Sequence, residues 1–126
     1  MFKNTKAFSG FSVNNIAAAK QFYGTTLGLD VEEQSYALEL KIAGGTHVFI
    51  YPKDDHTPAT FTVLNFPVDA IDEAVDTLRQ KGITFEHYPG MTDEKDIARG
   101  IAKGMGPDIA WFKDPAGNIL SVLQEG

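Results

Sequence analysis

The chain has 126 residues, 43% of them hydrophobic, which suits one compact domain, 1–126, with a proper core. A formal net charge of −6 excludes nucleic acid as a partner, and the lack of cysteine excludes disulfides, thiolate metal ligands and a thiol nucleophile. No apolar run is long enough for a membrane span and no signal-type stretch follows the first residues, so we expect a cytoplasmic protein without a membrane partner.

An internal repeat divides the chain into two similar halves. Four apolar residues recur 55 positions later: Phe11, Val13, Ile16 and Ala19 reappear as Phe66, Val68, Ile71 and Ala74. We therefore expect two modules, 6–52 and 60–124. The polar linker between them, 53–59, carries prolines at its borders.

The first half predicts a strand, a helix and a hairpin, in that order. The apolar segment from Ala7 to Val13 runs into the helix-start signal Asn14-Asn15. An apolar stripe from Ile16 to Leu27 then predicts a helix that ends before Gly28. Alternation from Tyr36 to Ile42, the Gly44-Gly45 turn and the β-branched and aromatic run from Thr46 to Tyr51 predict the hairpin.

The second half repeats this order. A strand from Thr60 to Val68 leads to a helix that starts at Asp69, with Asp72 at its third position, and ends before Gly82. Three more strands are predicted at Ile83 to Tyr88, Ile109 to Lys113 and Ile119 to Gln124, the last two joined by the turn Asp114 to Asn118. Each half thus reads β-α-β-β-β. The segment Gly90 to Pro107 shows no period and is interpreted as a long loop, either a functional lid or a mobile insertion.

Two groups of residues resemble one protein family. Phe11-x-Val13-Asn14-Asn15-Ile16, with Phe22-Tyr23 and Leu27-Gly28-Leu29, resembles the first module of the vicinal oxygen chelate superfamily, the glyoxalase, bleomycin resistance and extradiol dioxygenase group. The run Trp111 to Asn118, WFKDPAGN, resembles the final hairpin of that family. The resemblance covers nearly the whole chain. It implies an α+β fold of paired βαβββ modules, whose mixed sheet curls into a cup and is often completed by homodimerisation.

The resemblance also implies where a metal would lie. Enzymes of the group place His, Gln or Glu on the first strand of each module and a carboxylate on the fourth. The matching positions here are Phe8, Phe49, Val63 and Ser121, and a register shift of one replaces Phe49 by Ile50. Apolar side chains cannot coordinate a divalent ion and a serine hydroxyl is a poor lone ligand. We therefore predict no metal at this place, and no cofactor.

Residues near the four positions are candidates to line the cup. The period of two along a strand puts His47 on the same face as Phe49, where its imidazole can orient a ligand or act as the only candidate acid or base. Arg99, in the long loop, can clamp an anionic ligand, whereas His56 and His87 are interpreted as structural. The candidate ligand-binding residues are Phe8, Ser12, His47, Phe49, Tyr51, Val63, Asn65, Arg99, Trp111 and Ser121.

Three functions stay open at this point. The leading hypothesis is a metal-independent homodimer whose apolar cup binds a small organic molecule, because sparse polar groups in an apolar concavity are typical of such sites. The second is an enzyme, a lyase, dioxygenase or isomerase that uses a displaced metal or His47. The third is a structural or interaction dimer whose cup is filled by side chains.

Overall fold

A computed structural model describes all 126 residues, which form two compact units, Met1–Pro58 and Ala59–Gly126. Each unit holds one four-stranded mixed sheet and one main helix, and neither sheet is closed. In both units the first and last strands pair in parallel, and the other strand pairs are antiparallel. The α+β fold class predicted from the sequence is confirmed.

The first unit has sheet order β1-β4-β3-β2. Its elements are β1 (Ser9–Val13), α1 (Ile16–Lys20), β2 (Asp30–Glu33), β3 (Leu38–Lys41) and β4 (His47–Pro52). Helix α1 begins at Asn15, whose side-chain oxygen accepts a hydrogen bond from the Ala18 N–H at 3.0 Å, as the helix-start signal predicts. A π-helical segment, Gln21–Thr26, extends the helix, and Gly28 then takes a φ of 74°.

One face of this sheet forms the core of the first unit. The apolar residues that alternate along β1, β3 and β4 are buried, and so are three residues of the helical segment. Tyr23 of that segment is fully buried, with its ring 6.1 Å from the ring of Phe11. The buried set is Phe11, Val13, Leu38, Leu40, Val48, Ile50, Ala19, Phe22 and Tyr23. The residues of the other face, called the open face below, are half-buried or exposed.

The second unit has sheet order β5-β8-β7-β6. Its elements are β5 (Thr62–Pro67), α2 (Ile71–Gln80), β6 (Ala98–Arg99), a 3₁₀ turn (Ile101–Lys103), β7 (Asp108–Lys113) and β8 (Ile119–Gln124). The core of this unit contains Ala110 and Phe112 of β7, Leu120 and Val122 of β8, and Ile71 and Val75 of α2. The predicted turn between β7 and β8 is present, since the Asp114 carboxylate accepts from the N–H groups of Ala116 and Asn118 and Gly117 takes a φ of 86°.

The structure corrects four local predictions. The predicted strand from Ile83 to Tyr88 is wrong, because it makes only one isolated bridge, between Phe85 and Phe112. The edge strand of the second sheet is instead β6, which lies inside the segment expected to be an unbroken loop. In the first unit, strand β2 was not predicted. Asp69 does not cap α2: the N-cap is Ala70, and the Gln124 side-chain oxygen accepts the Ile71 N–H at 3.0 Å. A residue distant in sequence thus replaces the expected local cap.

Candidate functional site

The four positions that hold metal ligands in the family's enzymes offer no suitable donor set. Phe8 immediately precedes β1, Phe49 pairs with Gly10, and Val63 lies where the pairing of β5 with β8 shifts register. Ser121 is fully buried, and its hydroxyl donates to the Asn65 side-chain oxygen at 2.6 Å. No group of three or more His, Cys, Asp or Glu side chains in the chain is arranged to hold a metal ion. These residues do not fit the divalent ion of the family.

An aromatic surface occupies the open face of the first sheet. The rings of Phe8 and His47 are 4.4 Å apart and tilted by 31°. Phe49 stacks on Tyr51 at 6.0 Å and meets Tyr36 edge-on at 6.3 Å. Phe8 is 57% exposed and Tyr51 is 36% exposed, so both rings retain area for a further contact. These five residues are called the aromatic face below.

A carboxylate lies within the aromatic face. Glu39 pairs with Phe49 across β3 and β4, and its side chain is only 25% exposed. One carboxylate oxygen is 3.9 Å from His47 Nδ1, and the other accepts a hydrogen bond from Gln34 Nε2 at 3.2 Å. Lys41, on the same strand as Glu39, instead binds Glu32 at 2.9 Å. The polar groups of this face are thus few and specifically placed.

The predicted site residue Ser12 is held by the end of the first unit. Its hydroxyl lies 2.6 Å from His56 Nδ1, and the Lys53 N–H donates to the Val13 carbonyl oxygen at 2.9 Å. Both contacts tie segment 53–58 to β1. His56, interpreted from the sequence as a structural residue of a turn or of the surface, is half-buried against the strand.

Trp111 lies on the open face of the second sheet. Its neighbours Ala110 and Phe112 are buried in the core with α2, whereas Trp111 is half-buried. The indole Nε1 donates to Thr62 Oγ1 at 3.1 Å, and the ring of Tyr88 packs edge-on at 5.5 Å. Trp111, one of the candidate ligand-binding residues, lies on the wall of a depression of about 410 Å³.

Arg99 also borders this depression, but its guanidinium is already bound. Two of its nitrogens donate to the two Asp72 carboxylate oxygens at 2.8 and 2.9 Å, and the third donates to Asp93 at 2.8 Å. These hydrogen bonds raise the pKa of Arg99 further above its usual range. The charge of Arg99 is thus already paired with two carboxylates, which disfavours the anion clamp suggested by the sequence. Arg99 instead joins β6 to α2.

The carboxylates around Arg99 are held in their charged form. Hydrogen bonds from Arg99, and then from Lys95, keep the pKa of Asp72 well below its usual range. Burial raises the pKa of Asp93, but hydrogen bonds from Arg99 and from the Ile97 and Lys95 N–H groups together outweigh burial and lower it. The loop is thereby anchored by charge-assisted contacts.

A second ionic contact anchors the same loop. Asp96, with a φ of 66°, accepts from Arg79 at 2.7 Å and lies 2.8 Å from His87 Nδ1. A positive φ is uncommon for a residue other than glycine, and Asp is among the residues that tolerate it. Segment 90–107 is therefore attached to the unit by several ion pairs.

Sequence reasoning missed several residues near these surfaces. Glu39 could have been found by pairing β3 with β4, since the register follows from the alternation and the Gly44-Gly45 turn. Tyr36 could not, because it precedes β3 and the alternation places it on the face of the buried Leu38. Met91, Lys103 and Met105 border the Trp111 depression but carry no local signal, because they come from the irregular segment 90–107.

The superfamily is shown by direct comparison. The model of the glyoxalase/bleomycin resistance protein/dioxygenase superfamily matches residues 8–122, and the chain belongs to that superfamily. The resemblance inferred from the Phe-Tyr, Leu-Gly-Leu and Asp-Pro-Ala-Gly-Asn motifs is thereby confirmed. No curated protein sequence gives a significant match.

Several solved structures share the fold. A glyoxalase family protein from Enterococcus faecalis is 25% identical, with a TM-score of 0.65 over 98% of this chain and 99% of that chain. A superfamily member from Sphaerobacter thermophilus DSM 20745 is 24% identical, with a TM-score of 0.70 over 99% and 100%. An antibiotic binding protein, TnmS3 from Streptomyces sp. CB03234, is 20% identical, with a TM-score of 0.70 over 100% and 99%.

Neither α1 nor α2 has the length and apolar character of a membrane-spanning helix.

Proposed function

We propose that this chain is a metal-independent protein that binds a small organic molecule through aromatic rings. The observation that carries the proposal is the replacement of both first-unit metal positions by phenylalanine, Phe8 and Phe49, within the aromatic face. Aromatic side chains bury large areas and gain about 0.5–1.5 kcal/mol from ring pairing beyond area burial. The face thus supplies binding energy where the family's enzymes supply ligands for an ion.

Two further points support this proposal. His47 and Glu39 add polar groups inside an otherwise aromatic surface, and such sparse groups commonly orient a bound small molecule. The same fold also occurs in a structure described as an antibiotic binding protein. Fold likeness alone does not transfer function, so the aromatic face remains the main support. The proposal includes a cytoplasmic homodimer, as the family resemblance implies, and light scattering after size-exclusion chromatography tests the dimer.

The test combines metal analysis with dye binding. Protein purified without chelator is analysed for metal, and binding of the neutral aromatic dye N-phenyl-1-naphthylamine is titrated before and after EDTA treatment. We expect less than stoichiometric metal and unchanged affinity. Stoichiometric metal, or affinity lost with EDTA, contradicts metal independence.

A pair of variants locates the dye. Phe49→Ala removes the ring shared by two contacts of the aromatic face, and we expect binding to weaken about tenfold, the equivalent of about 1.4 kcal/mol. Phe2→Ala is the matched control, because Phe2 is 76% exposed outside the strands. Equal effects of the two variants would count against the aromatic face as the binding site.

A second candidate function is an isomerase that moves a proton through His47. The approach of Glu39 to His47 Nδ1, at 3.9 Å, favours it, since a carboxylate beside an imidazole can hold the ring in one orientation for proton transfer. Under this alternative, His47→Gln keeps dye affinity but abolishes catalysed exchange of an acidic C–H proton of a bound carbonyl compound, followed by NMR in D₂O. Absence of exchange in the unmodified protein removes this candidate.

A further inference from the structure

The depression beside Trp111 has the features of a second contact region for a ligand. Its volume of about 410 Å³ falls in the range of small-molecule sites and accommodates two or three aromatic rings. The lining includes Met91, Met105, Pro107, Ile109 and Trp111. All of these residues belong to the second unit, whereas the aromatic face belongs to the first.

The lining is suited to a flat ring system. Met91 is 56% exposed and Met105 is 76% exposed, which leaves two flexible thioether side chains beside a half-buried indole. Thioether sulfur makes favourable contacts with aromatic rings, and methionine adjusts to irregular shapes. Trp111 is itself fixed by Thr62 and Tyr88, so little rotamer freedom is lost when a ring packs against it.

The wall of the depression is already formed. The contacts of Arg99 with Asp72 and Asp93 hold β6, and Gly100 passes so close to Pro107 that an added Cβ would overlap the Pro107 carbonyl oxygen. A wall that is set before binding reduces the entropy cost of closing around a ligand.

One cation at this depression has no carboxylate partner. Arg99 binds Asp72 and Asp93, and nearby Lys95 contacts Asp72 and Asp76. The side chain of Lys103, which borders the depression, makes no hydrogen bond or ion pair. In a chain with a net charge of −6, an unpaired lysine beside an apolar wall offers a complementary charge to an acidic ligand group.

We propose that this depression binds a planar aromatic anion, with its rings against Trp111 and the two methionines and its acidic group at Lys103. The inference rests on the proposed function in assuming that the chain binds small molecules. It adds the position within the second unit and the charge of the ligand.

The test compares two dyes that share one ring system. The sulfonate 1-anilinonaphthalene-8-sulfonate carries the anion, and N-phenyl-1-naphthylamine lacks it. Trp111 is the only tryptophan and lines this depression, so we expect its emission to respond to a dye bound there, and the substitutions below assign the response to this site. We expect the sulfonate dye to quench Trp111 emission to saturation.

Charge and ring contacts are then tested separately. Lys103→Gln should weaken binding of the sulfonate dye about fivefold, which corresponds to the upper value for an exposed ion pair. Binding of the neutral dye should stay unchanged. Lys81→Gln is the matched control, since Lys81 is exposed at the end of α2 and does not border the depression. Met105→Ala, at an exposed loop position, should weaken quenching by both dyes.

Three results would overturn the inference. The first is that Lys103→Gln and Lys81→Gln change the affinity for the sulfonate dye equally. The second is that Met105→Ala leaves quenching by both dyes unchanged. The third is that the sulfonate dye binds but leaves Trp111 emission unaltered. The proposed function fails separately, if Phe49→Ala does not weaken dye binding relative to Phe2→Ala, and that comparison is not read through Trp111.

Discussion

Asp72→Asn is expected to loosen the ionic anchor between α2 and β6. The Asp72 carboxylate accepts two hydrogen bonds from Arg99, at 2.8 and 2.9 Å, and one from Lys95 at 3.1 Å. Because the Asp72 side chain is 48% exposed, each pair is given the value of a surface ion pair, at most about 1 kcal/mol. Asparagine keeps one acceptor oxygen but loses the charge. We therefore expect the free energy of unfolding to fall by about 1–2 kcal/mol at neutral pH.

The pH dependence of this loss follows from the lowered pKa of Asp72. A carboxyl group with a lower pKa in the folded chain stabilises the fold above its unfolded pKa of about 3.9. That stabilisation is lost as the pH falls from the unfolded pKa towards the folded one. The difference between the unmodified protein and Asp72→Asn should thus be constant near neutral pH and shrink below about pH 4.

Urea unfolding followed by Trp111 emission, at neutral pH and at about pH 3, measures both effects. Asp76→Asn is the matched control on the same helix, because the Asp76 carboxylate makes one contact, 3.4 Å from Lys95. It should cost about 0.5 kcal/mol or less. If the two variants are equally destabilised, or if the cost of Asp72→Asn does not diminish in acid, the ionic account of the anchor is refuted.

Two further substitutions test local contacts. Gln124→Ala removes the acceptor for the Ile71 N–H at the start of α2 and should lower the free energy of urea unfolding by about 1 kcal/mol, whereas Gln80→Ala, exposed at the other end of α2, should change it little. Gly100→Ala forces a Cβ against the Pro107 carbonyl oxygen, so we expect destabilisation by about 1–3 kcal/mol and weaker quenching of Trp111 by the sulfonate dye. Unfolding midpoints equal to that of the unmodified protein would contradict either account.

Much of the fold could be predicted because its signals are local. The Asn15 cap, the glycines after the helical segments and the Asp114 to Asn118 turn each depend on neighbouring residues, and the structure contains all of them. Strand β6 is different. It has two residues, too few for an alternating pattern, and forms because Ala98 and Arg99 pair with β7. Such a strand is defined by its partner and cannot be read from its own sequence.

The candidate site divides in the same way. That Phe49, His47 and Tyr51 share one face follows from the period of two along β4. The engagement of Arg99 by Asp72 could not be foreseen, because 27 positions separate the two residues and the contact depends on how segment 90–107 folds back. The contact of Gln124 with the start of α2 could not be predicted for the same reason, since 53 positions separate Gln124 from Ile71.

The parallel pairing of the first and last strands within each unit has a consequence for how the chain folds. Strand β1 requires β4, and β5 requires β8, so neither sheet can be completed until the last strand of its unit has been synthesised. Contacts of such large sequence separation slow folding, because the chain must close a long loop before they form. On the ribosome, the first sheet can be assembled while the second unit is still being made. Loss of the residues after Lys113 would remove β8, the only strand that joins β5 to β7.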